Sequence, residues 1–310
     1  MKKAIITGAN SFIGRRLCRK LAANDYYVYA IVRKNFSHKE IFDGINSITL
    51  IELDMAEYGM LKDRITEKCD LGVLLAWNGT RGVLRDNVHL QHENYNNSIL
   101  EAENMIALGC ETIVTAGSQA EYGINKSLEK ITEKTECKPN TEYGKAKLKL
   151  YQELDRFCEN RKVRLIEPRY FSLYGPDDSE KTMIISMIRN MLSNRSCDLT
   201  ECIQQWDFMY IDDAVDLLFE LIETKDASGA FNFGSGVSKP LKEYVYEMYR
   251  LTRSSSKLHF GAVPYPVTGM VHTNPSIEKL KQYVKDIHVR SFAEGIQAVI
   301  KEQREVMHER

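Results

Sequence analysis

The chain has 310 residues, with 42 lysines and arginines against 43 aspartates and glutamates, and 43% of it is hydrophobic. This length supports a substantial α/β core, as one large domain or two smaller ones. Its near-balanced charge carries no electrostatic footprint for nucleic acid or a membrane surface. In chain order, short apolar runs at 4–7, 27–32, 48–52, 71–76, 112–116 and 163–167 are predicted as strands. They are nearly continuous rather than alternating, as in parallel strands covered on both faces. Between them, Phe12, Ile13, Leu17 and Leu21 recur at helical spacing, and further helices are predicted at about 91–108 and 143–159. Strands alternating with helices imply right-handed crossovers and a Rossmann-type, doubly wound parallel sheet.

After a turn at 173–178 the pattern changes. A helix at 182–193, a strand at 206–211 and a helix at 212–223 capped by Asp212 or Asp213 are expected, followed by a strand and turn from Phe231 to Gly236. A helix then starts near Leu241, a stiff stretch follows at 263–266, and a terminal helix covers 291–307. The expected division is a dinucleotide-binding domain over 1–169 with a return over 204–231, and a smaller C-terminal α/β substrate-binding lid over 170–203 and 232–310. The first apolar stretch is too short for a signal peptide, and no later run reaches the roughly 18 apolar residues of a membrane span. The seven cysteines are scattered, odd in number and without a Cys-x-x-Cys pair. The expectation is reduced thiols in a cytoplasm, and no metal site.

The chemistry begins at Thr7-Gly8-Ala9-Asn10-Ser11-Phe12-Ile13-Gly14. Gly8 permits a backbone conformation that side chains resist. Gly14, read as one turn into the helix, lets helix and sheet approach. Ser11 stands where its amide and hydroxyl can both donate to phosphate at a helix N-terminus. Strand two ends in Arg33, about twenty residues past the turn, where folds selective for NAD carry an acid. An arginine there can clamp a 2′-phosphate or be a solvated surface base, and NADP is favoured over NAD. Asp54, beside Met55, accepts from an adenine amino group or caps a turn. Ala76 and Trp77 pass under the cofactor ribose, or Trp77 is core.

Ser118, Tyr143 and Lys147 form the central set. Tyr143 and Lys147 share one helix face. A nearby ammonium would lower the phenol pKa from its ordinary value near 10 and make Tyr143 an acid or base at neutral pH. Ser118, ending strand five, would donate to the same substrate oxygen.

These motifs, with Asn94-x-x-Asn97-Ser98, Ser118-x-x-x-Tyr122-Gly123, Glu133, Pro139, Pro168-Arg169-Tyr170-Phe171, Tyr174-Gly175-Pro176, Asp207-Phe208-x-x-Ile211-x-Asp213 and Asn232-x-Gly234-Ser235-Gly236, give the chain a resemblance. It resembles an extended short-chain dehydrogenase/reductase of the branch holding NAD(P)-dependent sugar-nucleotide epimerases, dehydratases and reductases, over nearly its whole length. The resemblance implies that Tyr143 is the catalytic acid/base, Lys147 its cofactor-bound helper and Ser118 the substrate-polarising hydroxyl. It implies cofactor contacts at Gly8, Asn10, Ser11, Phe12, Ile13, Gly14, Arg33, Asp54, Met55, Ala76, Trp77, Asn94 and Tyr170. It further implies a homodimer in which the Tyr143 helix and its neighbour form a four-helix bundle.

Departures narrow the reaction. The Asp-Glu pair of 4,6-dehydratases is Gln119-Ala120 here, and Gln119 also replaces the cysteine of the 3,5-epimerase/reductase branch. The usual Asn after Arg-Tyr-Phe is Ser172. The Arg that grips a diphosphate is Trp206, which stacks on a ligand or packs in the core. Arg81, Arg85 or Arg290 could supply the missing charge. Substrate contacts are expected at Ser118, Gln119, Tyr143, Ser172, Trp206 and Arg290. The expected function is NADPH-dependent reduction of the C4 carbonyl of a nucleoside-diphosphate 4-keto-6-deoxyhexose. The alternative is NAD-dependent 4-epimerisation of a nucleoside-diphosphate sugar, and a lesser one a non-catalytic dinucleotide sensor.

Overall fold

The apolar runs become the strands of one parallel sheet in the computed structural model, which describes residues 1–285 and 287–308. Strands β1 (Lys2–Thr7), β2 (Tyr26–Val32), β3 (Ile48–Glu52), β4 (Leu71–Leu74), β5 (Thr112–Thr115), β6 (Arg164–Tyr170) and β7 (Gly229–Phe233) lie in the order β7-β6-β5-β4-β1-β2-β3. All their pairings are parallel. The order reverses between β1 and β4, which opens a crevice at their carboxyl ends. The longer helices are α1 (Gly14–Ala22), α2 (Val88–Ala107), α3 (Glu142–Arg161), α4 (Met183–Leu192), α5 (Ile211–Glu223), α6 (Leu241–Thr252) and α7 (Phe292–His308).

Both sheet faces are covered. Leu17 and Leu21 of α1 pack with Leu218 and Leu221 of α5 over Ile6 and Val28 on one side. Met105 of α2 and Leu150 and Leu154 of α3 meet Ile5 and Ile113 on the other. Each fully buried leucine contributes about 1.5–3 kcal/mol relative to exposure. A separate apolar core joins Ile184, Ile188 and Met191 of α4 to Val245 and Met248 of α6 and Ile296 and Val299 of α7. No helix among the described residues is long and apolar enough to cross a membrane. All seven cysteines are unpaired thiols.

Local geometry corrects several expectations. Helix α1 begins at Gly14, not a turn earlier, because the Ser11 hydroxyl accepts the Gly14 amide (3.0 Å) and closes the preceding turn. Strand β6 continues three residues past Glu167. The single strand expected at 206–211 is two pieces: Gln205–Trp206 pairs antiparallel with Lys239–Pro240, and Phe208–Tyr210 pairs parallel with Ser172–Tyr174. The break falls at Asp207, whose carboxylate turns away to accept the Ser235 amide and hydroxyl at 2.7 and 2.8 Å. Neither Asp212 nor Asp213 caps α5; Asp213 accepts the Arg290 amide (2.8 Å) and Asp212 holds Arg16.

Candidate active site

The Gly-rich turn and the segment after β4 meet at the switch point. Gly8 has φ +59, and a Cβ on it would lie 2.8 Å from the Ala76 amide nitrogen. A Cβ on Gly14 would run into the Gly8 carbonyl oxygen. No larger side chain fits this cradle. Ser11 departs from expectation in one respect: its amide donates to Gly8 O within the turn (2.9 Å), leaving only the hydroxyl proton for a ligand.

A cleft of ≈ 1280 Å³ runs from this turn across the strand ends into the second core. Ser11, Phe12, Ile13, Arg33, Trp77, Ser118, Tyr143, Lys147, Tyr170, Ser172 and Trp206 all line it, so the structure brings together most of the residues expected there. Gln119 and Arg290 are not among its lining residues. The Gln119 side-chain oxygen is buried without a partner. The Arg290 guanidinium lies over the Tyr210 ring at 4.6 Å, with Asp213 at 3.5 Å and Asp212 at 3.8 Å, so the acids of α5 draw it away from the cleft. Asn94, expected at the cofactor, clamps the Asn78 peptide instead: its amide donates to Asn78 O (2.8 Å) and accepts from Asn78 N (3.1 Å). Asp54 accepts the Lys34 amide (3.1 Å), which draws the ends of β2 and β3 together, while Met55 Sδ accepts from the Asn78 side chain at 3.6 Å.

Thr141 caps α3 by accepting the Gly144 amide (3.1 Å), and this start places Tyr143 and Lys147 on one buried face. The Ser118 hydroxyl lies beside the Tyr143 phenol and draws its pKa down. Lys147 Nζ donates to Ala116 O (2.9 Å) and lies 3.6 Å from the Trp77 ring centroid. Trp77 is thus both cleft wall and cation platform. Burial draws the Lys147 ammonium down to about 8, opposed by the carboxylates of Glu121, Glu167 and Glu101. The phenol differs from expectation. Burial raises the Tyr143 pKa, and the opposing influences are the Ser118 hydroxyl and the Arg85 charge. A low-polarity pocket penalises phenolate more than the nearby groups relieve it.

Beneath the site lies an ionic cluster whose connections sequence spacing did not reveal. Arg169 Nε reaches Glu121 Oε2 and Glu167 Oε2, both at 2.9 Å, and its Nη1 donates to Tyr122 Oη (3.2 Å). Glu121 Oε1 accepts the Ser118 amide (2.7 Å), so this cluster fixes the backbone of the site serine. Arg169 was visible as part of a motif, but nothing signalled that Glu121 and Glu167 would share it. Glu101 is the other buried acid: it accepts from Thr7 Oγ1 (2.5 Å), its Oε2 has no partner, and burial pushes its pKa up to about 8. A carboxyl with a raised folded pKa costs stability as pH climbs above its unfolded value near 4.5. Glu101→Gln is therefore expected to stabilise the fold by on the order of 2 kcal/mol near pH 8 and by much less near pH 5, as measured by urea unfolding.

The site fits a nicotinamide dinucleotide: the Gly8–Gly14 cradle admits close backbone approach, and the buried Tyr170 hydroxyl, in a cleft-lining residue, has no protein partner. Among the described residues no cluster of three or more His, Cys, Asp or Glu could hold a metal ion.

Comparison with known proteins agrees with this geometry. A model of the NAD dependent epimerase/dehydratase family matches residues 4–234. ADP-L-glycero-D-manno-heptose-6-epimerase of Nitratidesulfovibrio vulgaris is 23% identical, covering 96% of this chain and 97% of its own. CDP-abequose synthase of Salmonella muenchen is 25% identical over 84% of this chain and 85% of its own. Among solved structures, UDP-glucuronic acid 4-epimerase from Bacillus cereus in complex with NAD has the same fold, with a TM-score of 0.82, 19% identity and coverage of 98% and 99%.

Proposed function

We propose, from the premise that the chain belongs to the NAD dependent epimerase/dehydratase family, that it transfers hydride at a carbon of a nucleotide-linked sugar, with Tyr143 as proton carrier. The observation that carries this reading is the meeting of Ser118, Tyr143 and Lys147 in the cleft that begins at the Gly-rich turn. A bound nicotinamide would supply the hydride donor or acceptor. Tyr143 gives its phenolic proton to a ketone oxygen, or takes one from a hydroxyl, while Ser118 donates to that oxygen and shares its developing charge. Lys147 holds positive charge beside the exchange and would donate to the ribose of a bound cofactor.

Of the possible net reactions, we favour reduction of a 4-keto-6-deoxyhexose carried on a nucleoside diphosphate, with NADPH as reductant. Arg33 supports it: exposed at the end of β2, it lines the cleft and has no ion-pair partner among the described residues. A guanidinium there suits a 2′-phosphate. Arg33→Ala is expected to lower the preference for NADPH over NADH about 10–100-fold, measured as the ratio of kcat/KM values. Dehydration is disfavoured, since Gln119 and Ala120 carry no acid and Glu121 is held by Arg169. In the substrate half, Lys181 lines the cleft and supplies charge for a diphosphate in the absence of an arginine at 206. The Trp206 Nε1 donor is buried without a partner, which suits a ligand acceptor beside it. Pairing of α2 and α3 with those of a second copy is part of the same reading.

The second reading, 4-epimerisation through a transient ketone, draws on the epimerases to which the chain is similar. Incubation with NADPH and a panel of nucleotide-linked 4-ketosugars separates the two. Stoichiometric loss of NADPH absorbance supports reduction, while interconversion of C4 epimers with no added cofactor overturns it in favour of the second reading.

A further inference from the structure

The Tyr143 ring has a cationic neighbour that lies outside the site triad. Arg85 belongs to the short 3-10 helix Gly82–Asp86, which follows the Trp77 loop. That helix is pinned to the start of α3, since Asp86 Oδ1 accepts the Glu142 amide (3.1 Å). The pin brings the Arg85 guanidinium carbon to 4.8 Å from the Tyr143 ring centroid. The Trp77 ring meets Tyr143 edge to face at 6.1 Å.

The charge of Arg85 is not committed elsewhere. Its Nε is buried without a hydrogen-bond partner, and no carboxylate pairs with it among the described residues. Arg81, Arg16 and Arg169 are instead held by acids, by Asp178, by Asp212, and by Glu121 with Glu167, while the unpaired Arg33 lies at the end of β2. An arginine neutralised in that way projects little field, whereas an unpaired, partly buried one acts on its neighbour more strongly. Lys147, the other candidate cation, directs its ammonium to the Ala116 carbonyl and the face of Trp77.

We propose that Arg85 is a positioning residue that stabilises the phenolate of Tyr143 and holds its ring, a role that the Lys147 ammonium, turned to Ala116 O and Trp77, leaves to it. This rests on the reading of Tyr143 as proton carrier. The groups acting on the phenol besides Arg85 are the Ser118 hydroxyl and the Glu121 carboxylate from the short helix Gln119–Glu121, while Lys147, one turn along α3, turns its ammonium to Ala116 O and Trp77. Glu101 of α2 and Glu167 of β6 act on Lys147, and Arg169 answers Glu121 and Glu167. Arg85 is the positive group among those acting directly on the phenol. An offsetting cation at this distance shifts a phenol by a fraction of a unit to about one unit.

The test is the titration of Tyr143 itself, isolated as the phenolate absorbance difference between each protein and the same protein carrying Tyr143→Phe. Arg85→Gln is expected to raise the midpoint by about 0.5–1 pH unit, and Arg85→Lys to restore most of it. The pH profile of kcat should show its phenol-dependent limb displaced in the same direction. An unchanged midpoint in Arg85→Gln, with circular dichroism showing an intact fold, overturns the proposal and leaves Arg85 a packing residue. If a variant unfolds before Tyr143 titrates, the ascending limb of kcat in the alcohol-oxidising direction between pH 6 and 9, where the rate follows the phenolate fraction, decides in its place, displacement supporting the proposal and coincidence with wild type overturning it. Failure of the proton-carrier reading is separately visible: turnover would then survive Tyr143→Phe, whatever Arg85 does to the titration.

Discussion

Tyr143→Phe is expected to lower turnover about 10²–10⁴-fold, the range for removing a positioned general acid or base. The substitution deletes one oxygen from a ring that is 8% exposed, and the ring's neighbours, Trp77 edge-on and Arg85 over the face, have the same surface to pack against. Stability should therefore change little, and dinucleotide affinity, set by the Gly8 turn at the other end of the cleft, should stay within a few-fold of wild type. The decisive comparison is single-turnover hydride transfer against cofactor affinity measured by fluorescence quenching of Trp77. Loss of both together would mean that Tyr143 holds the cleft open rather than carrying a proton. Ser118→Ala should cost less than Tyr143→Phe, because Tyr143 can still deliver a proton without the serine's hydrogen bond.

Much of this arrangement is legible in the amino-acid sequence. Continuous apolar runs such as Leu71–Leu74 declare strands buried on both faces, and the spacing of Tyr143 and Lys147 declares a shared helix face. The local chemistry of Gly8 and Gly14 was readable as well, since close backbone approach admits few residues. What stayed hidden depends on partners distant in sequence. Nothing in the order of residues says that Asp207 will leave its strand to bind Ser235, or that Asp213 will accept from Arg290. The same limit explains the phenol: a spacing of four residues predicts that Lys147 and Tyr143 share a face, but not that Trp77 will take the ammonium and Arg85 the ring. Asn94 makes the point from the other side. Its place in a motif suggested a ligand contact, whereas its full burial and two bonds to Asn78 make it the brace that shapes the cleft wall.

Removal of Arg169 should be the most damaging single change to the fold near the site. Its side chain is 4% exposed, and those of Glu121 and Glu167 are 0% and 2% exposed. Arg169→Ala strands two carboxylates in a region where water cannot reach them, and breaking a buried pair in this way costs about 3–5 kcal/mol. The pH dependence identifies the cause. Burial raises the pKa of both glutamates above 4.5 in the folded protein, and Arg169 opposes that rise. Stability from a carboxyl with a raised folded pKa is present below the unfolded pKa and is lost as pH climbs through the folded one. Without Arg169 the folded values climb further, so the penalty grows with pH. Urea midpoints of wild type and Arg169→Ala should thus lie closest near pH 5 and diverge toward pH 8; a constant separation would assign the loss to packing around Tyr122 instead. Arg169→Lys keeps the charge but not the planar fork that reaches both acids and Tyr122 together, and it should fall between the two. Because Glu121 also accepts the Ser118 amide, hydride transfer should weaken in Arg169→Lys even where the fold persists, which ties the buried cluster to the chemistry above it.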